Sequence, residues 1–205
     1  RILEEYKDFL YLNGYESDTV EILNQLIKLS DSGIQNYSNS VKSWIENTAY
    51  KIDCDDKREI LPKIFEDSKV AFIYGSAGTG KTTLIEHISN FFSGKKKLYL
   101  ANTNPAIANL ERRVKVPNSK FMTVSSFKSA RNTEVDYDVL IIDECSTVSN
   151  SDMLDVLKKA NFKNIILFSI FSAISIDIRI MGIMIPTIIL SIFFFKSLIL
   201  KKPLS

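Results

Sequence analysis

The chain has 205 residues, 45% of them hydrophobic and 24% charged, with 26 Lys and Arg against 24 Asp and Glu. That length suits one well-buried core with an appendage, and the near balance of charge excludes an overall field that would by itself draw nucleic acid or a membrane surface to the molecule. Two cysteines, Cys54 and Cys145, lie far apart and outside any ligand spacing, so they support neither a disulfide framework nor a zinc site and point to a reducing, cytoplasmic compartment.

Residues 1–67 read as an α-helical N-terminal region. The opening "RILEEYKDF" starts without Met and lacks the order of a secretory signal, which reads as a fragment at its front end. Ile2, Leu3, Tyr6, Phe9 and Leu10 recur at helical spacing, Val20, Leu23, Leu26 and Ile27 repeat it in "SDTVEILNQLIKL", and Val41, Trp44 and Ile45 suggest a third segment. In "DDKREILPKIFEDS", Asp56 is followed three residues later by Glu59, an acidic relative of the capping box. From Lys69 the rhythm changes. The apolar runs "KVAFIYG", "KKLYLAN", "KFMTV", "YDVLIID" and "NIILF" alternate with helix-like stretches, the pattern of a doubly wound α/β domain over 68–168 with a parallel sheet covered on both faces.

The strongest local signal is Gly75-Ser76-Ala77-Gly78-Thr79-Gly80-Lys81-Thr82, a full G-x-x-x-x-G-K-[ST] match placed between an apolar strand and a helix, with Thr83 following. Glycines let the backbone curl so that its N–H groups point at phosphate oxygens, and the helix presents its positive end to the same charge. Lys81 is expected to reach the β- and γ-phosphates of ATP and Thr82 to place its hydroxyl on Mg²⁺. About 60 residues on, "DVLIIDECS" ends an apolar run with Asp143 and Glu144, an acidic pair expected at the tip of a neighbouring strand. Asp143 is expected to join the Mg²⁺ shell and Glu144 to polarise the attacking water.

In these blocks the chain resembles the superfamily 1 helicases, especially RecD-like and Upf1-like ATPases, over about residues 69–168. "GSAGTGKTT" looks like the family's phosphate loop and "DECS" like its acidic motif; "LANTNPAIANLERRV" and "TVSSFKS" are similar to the segments after the next strands. The resemblance implies a P-loop NTPase of RecA-like fold, the first such lobe only, working with a second lobe not found in this sequence. It also implies contact with single-stranded nucleic acid, DNA rather than RNA, through Asn102, Thr103, Asn104, Ser125 and Phe127, with Thr123 at a nearby position. Bland roles compete for two of these, Asn104 as a helix cap and Phe127 as core. Arg112, Arg113 and Lys115 read as a solvated, basic helix end. The sequence departs from the family twice. The segment "CDDKREILPKIF" ahead of the phosphate loop offers no Gln to recognise adenine, and after "NIILF" the family's Gly-Asp-x-x-Gln gives way to Ser169-Ile170-Phe171-Ser172.

From 169 to 205 charges almost vanish. Ile180 to Phe195 gives 16 residues without a charge, which approaches the about 20 a membrane span needs. The abundance of Ile, Lys, Asn and Ser upstream suggests an AT-rich gene, whose out-of-frame translation is rich in Ile, Phe, Leu and Ser. Three readings stand: an out-of-frame or truncated tail, which the break inside a motif favours, a membrane segment, and an extension of the fold. With a genuine membrane segment, the alternative function is a membrane-tethered P-loop signalling ATPase.

Overall fold

The computed structural model describes residues 3–6, 9–75, 78–130 and 136–170. The apolar tail after 170 therefore lies outside the described residues, as do Ser76 and Ala77. No helix among the described residues is long and apolar enough to cross a membrane.

The chain opens with a hairpin rather than the expected helix. β1 (Leu3–Tyr6) and β2 (Phe9–Leu12) pair antiparallel, Leu3 opposite Leu12 and Tyr6 opposite Phe9. Segments of four residues are too short for apolar spacing to separate helix from strand, and aromatic residues favour the strand. Helices follow as expected: α1 (Asn13–Ser30), α2 (Tyr37–Asn47) and the short α3 (Asp55–Ile60), the last continued by a 3-10 turn, Leu61–Lys63. The buried face of α1 is set by Ile22 and Leu26, while Val20 and Ile27 face solvent at 50% and 39% exposure. Asp56 is no cap, because α3 already starts at Asp55 and its cap residue is Cys54, which makes no side-chain hydrogen bond.

Five parallel strands make the second sheet: β3 (Val70–Gly75), β4 (Lys97–Ala101), β5 (Ser119–Thr123), β6 (Asp136–Ile142) and β7 (Asn161–Ile170). Their spatial order is β3-β7-β6-β4-β5. Between them run α4 (Lys81–Phe91), α5 (Asn104–Arg113), α6 (Val124–Ser129) and α7 (Asn150–Lys159). β7 carries Ile165, Ile166 and Leu167, all buried, and pairs on both edges, with β3 on one side and β6 on the other. A continuous apolar run of this kind is stable only where both faces and both edges are covered, which is the middle of a sheet.

Each face of the sheet has its own core. On one, Ala71, Ile73, Tyr99, Val139, Ile141 and Ile166 meet Leu84, Ile85 and Ile88 of α4 and Tyr37 and Val41 of α2. On the other, Leu98, Leu100, Leu140, Ile142 and Ile165 meet Val156 and Leu157 of α7 and Ile22 and Leu26 of α1. The helices before residue 68 thus share both cores with the sheet. Burial at about 25 cal/mol per Å² of apolar surface makes these two layers the main source of stability.

Candidate phosphate site

In a parallel sheet every strand ends at the same edge, so the segments singled out by sequence are brought together by topology alone. Residues 75–82 follow β3, Asn102 to Asn104 follow β4, Val124 and Ser125 follow β5, and Asp143 and Glu144 follow β6. The acidic pair is not on the strand next to the phosphate loop, however: β7 lies between β3 and β6. Two strand spacings set the two motifs about 10 Å apart.

The loop has the backbone its glycines predict. Gly78 and Gly80 adopt φ of +82° and +75°, a left-handed conformation that costs residues with a Cβ about 1–2 kcal/mol. A Cβ on Gly75 would lie 3.0 Å from Thr79 Oγ1 and 3.6 Å from Lys81 Cδ. Lys81 opens α4 and is 4% exposed; its Nζ donates to the Gly75 carbonyl at 2.9 Å. Burial lowers its affinity for a proton, and the charge of Asp143 opposes that shift. The two motifs therefore act on each other electrostatically across β7. Thr82 and Thr83 follow in the first turn of α4, both partly exposed.

Asp143 sits where its charge is costly. Burial raises its carboxyl to about 6; the Glu144 N–H, which donates to Oδ1 at 2.9 Å, and Lys81 pull the other way, while the Glu144 charge pushes it further up. Glu144 holds φ 48° and ψ 41°, a left-handed conformation rare for a side chain of its size. Strain of this kind persists only where neighbours enforce it, and it gathers at functional sites. Here Thr147 is the enforcer: its N–H and its hydroxyl both donate to the Glu144 carbonyl, at 2.8 and 2.9 Å. Cys145 beside them is inert as a nucleophile, its thiol pushed up to about 12 by burial and by Asp143.

A loop with left-handed glycines at 78 and 80, an ammonium and a desolvated carboxylate, with a hydroxyl residue after the lysine, form a donor set that fits nucleotide phosphates with a divalent cation. Thr82 and Asp143 are the residues that would hold Mg²⁺, which supplies charge neutralisation to the phosphates when bound.

The segments assigned to nucleic acid divide. Asn102, Thr103, Asn104 and Ser125 are exposed at the strand-end edge. Asn102 Nδ2 donates to the Thr147 carbonyl at 3.0 Å, so this side chain braces the turn that strains Glu144. Thr103, not Asn104, caps α5, its hydroxyl accepting from the Ala106 N–H at 3.3 Å. Thr123 caps α6 in the same way, accepting from Ser126 at 3.1 Å. Phe127 offers no stacking face: it is 0% exposed, packed in the core with the Lys159 ammonium 5.4 Å from its ring centre. Its spacing in α6, one turn past the cap, points it inward. Arg112 and Arg113 end α5, and Lys115 follows just past its cap residue Val114, at the opposite edge of the sheet from the phosphate loop.

One neighbour of the loop has no sequence signal. Lys57 of α3 is 4% exposed, and its Nζ lies 2.9 Å from the point where a Cβ on Gly80 would be. No periodicity or motif connects the two residues.

Strand, glycine loop, helix and acidic strand end on one parallel sheet define a P-loop NTPase. A family described as an AAA domain matches residues 55–169, more than half of the chain, and the chain belongs to that family. The match begins at α3 and so takes in the helix that carries Lys57. A search of curated proteins gave no match.

Proposed function

We propose that this chain is the ATP-binding portion of an ATP-dependent nucleic-acid helicase or translocase, one RecA-like lobe of a motor on single-stranded DNA. The observation that carries the reading is Lys81 and Asp143 within electrostatic reach of each other across β7, with Glu144 held in a strained turn beside them. In this reading the loop amides and Lys81 Nζ bind the phosphate oxygens, and Lys81 leaves the Gly75 carbonyl to do so. Glu144, displaced from the strand direction by its left-handed turn, orients the attacking water and accepts its proton at a carboxylate oxygen. The exposed Asn102, Thr103, Asn104 and Ser125 favour a strand lying along the same edge, where ATP-driven movement would be felt.

A motor of this kind closes two lobes on ATP, and an arginine finger from a partner lobe contributes about 10³–10⁵ in rate where one is used. Binding is therefore the first test. A fluorescent ATP analogue with Mg²⁺ is expected to bind the chain, and Lys81→Ala to abolish that binding; unchanged affinity in the variant overturns the assignment. In a longer protein that carries the second lobe, single-stranded DNA should raise ATP turnover, and Glu144→Gln should lower it by roughly 10²–10⁴ with nucleotide still bound. Partition into lipid vesicles with no response to DNA would point instead to the membrane-tethered signalling ATPase.

A further inference from the structure

Lys57, which lies against Gly80, begins a chain of hydrogen bonds that reaches the middle of α4. Its ammonium bonds Asp53 Oδ2. The other oxygen of that carboxylate, Oδ1, accepts from Nε2 of His87 at 2.7 Å, and His87 Nδ1 lies 2.9 Å from the Tyr50 hydroxyl. His87 is 2% exposed and sits on α4, the helix that Lys81 opens. Seven residues at 1.5 Å rise place it about 10 Å along the axis from Gly80. One carboxylate is thus shared between a helix in front of the loop and the helix behind it.

A hydrophobic side chain would fill the space against Gly80 at lower cost, since a buried ammonium must recover its lost hydration from partners. What an ion pair adds is a defined geometry. Asp53 supplies it: partial burial raises its carboxyl, but hydrogen bonds from Lys57 and His87 outweigh that and hold it ionised down to about 2. Behind the carboxylate, Tyr50 is edge-on to His87 with ring centres 5.5 Å apart, and Trp44 stacks on Tyr50 at 6.0 Å, so the anchor is itself packed. Gly80 is the N-cap of α4, left-handed and followed at once by Lys81. The Lys57 ammonium lies against the face of that glycine where a side chain would project.

We propose that Asp53, Lys57 and His87 form a positioning network for nucleotide binding, in which Asp53 pins Lys57 against Gly80 and so holds the loop in its phosphate-accepting shape, while His87 ties the same carboxylate to α4. The proposal rests on the reading of residues 75–82 as a nucleotide-phosphate site. Lys57 acts through the Gly80 backbone and is a positioning residue, not a catalytic one.

The test is titration of the full chain with a fluorescent ATP analogue and Mg²⁺ well below each variant's melting temperature, alongside thermal unfolding. Loss of a charge-assisted hydrogen bond from the network is expected to weaken affinity roughly tenfold in Asp53→Asn and in Lys57→Met. The double variant should be no weaker than the worse single, because both remove one device. His87→Gln, whose amide can still donate to Asp53, should keep affinity near that of the natural chain, whereas His87→Leu should lose it. If Lys57→Met does not fold, Asp53→Asn decides, since that side chain is 47% exposed and the change is isosteric. Affinities within about twofold for Asp53→Asn and Lys57→Met, with binding still abolished by Lys81→Ala, would overturn the network and leave the phosphate site standing. If Lys81→Ala also binds normally, the phosphate site itself is wrong and the network falls with it.

Discussion

The two edges of the parallel sheet each bury a lysine, and the contrast between them separates scaffold from site. At the amino ends of the strands, Lys97 begins β4 at 1% exposure and donates to three main-chain carbonyls, Phe92 and Lys95 at 2.8 Å and Pro117 at 2.9 Å. It fastens two turns together, and the turns satisfy all three of its protons. Lys81, at the carboxyl ends, is almost as buried but lies beside a strained Glu144 and an Asp143 whose carboxyl is raised to about 6. Burial lowers the proton affinity of both lysines, that of Lys97 to about 8. The difference lies in the surroundings: each lysine feels one nearby carboxylate, Asp138 for Lys97 and Asp143 for Lys81, but three neutral carbonyls hold Lys97, whereas the carboxylate near Lys81 is itself raised and adjoins a strained residue. Perturbed charges and backbone strain gather at functional sites more often than in scaffold.

The sharpest way to break this contrast is to remove each ammonium. Lys81→Ala should reduce nucleotide affinity by at least about 10²-fold and leave thermal stability unchanged or raised, because a buried charge is lost with it. Lys97→Met should do the reverse. Stranding three carbonyls is expected to cost about 3 kcal/mol, read as a fall of about 10 °C in Tm, with affinity of the folded chain unaltered. An affinity loss in Lys97→Met would erase the distinction.

A smaller effect concerns Asp143. Its folded pKa lies above the unfolded value near 3.8, so the folded chain binds more protons between about pH 4 and 6, and the stability this contributes at low pH is lost as pH rises through about 6. Asp143→Asn should flatten that part of the stability profile by about 2 kcal/mol, measured by denaturant unfolding at pH 4 and pH 7. The smallest expected change is at Asn102. Removing its bond to the Thr147 carbonyl in Asn102→Ala should cost about 1 kcal/mol, and ATP turnover in a two-lobed protein should fall further than stability, since the turn it braces holds Glu144.

Most of the strands and helices after residue 68 are legible in the sequence, because each is announced within a few residues: an apolar run for β3 or β6, a glycine loop before α4, a Pro near the start of α5. The hairpin at residues 3–12 was not, since Leu3, Tyr6, Phe9 and Leu10 satisfy helical spacing by accident of short length. The buried face of α1 was shifted for a related reason: Val20 and Ile27 are apolar but face solvent, and only the docking of α1 on α7 chooses Ile22 and Leu26. The resemblance offers Phe127 to nucleic acid and its apolar character offers it to the core; the helix that begins beside the exposed strand end decides for the core.

The sequence by itself determined the phosphate loop, the acidic pair and the alternation of strand and helix, because backbone freedom at glycine, side-chain charge and apolar periodicity all act over fewer than about ten residues. Tertiary structure alone decided that β7 separates the loop from the acids, that Asn102 braces Thr147, 45 residues away, and that Lys57 reaches Gly80. Those contacts join segments that only the crossovers of a parallel sheet bring together, and no local pattern encodes which strand will enter the gap.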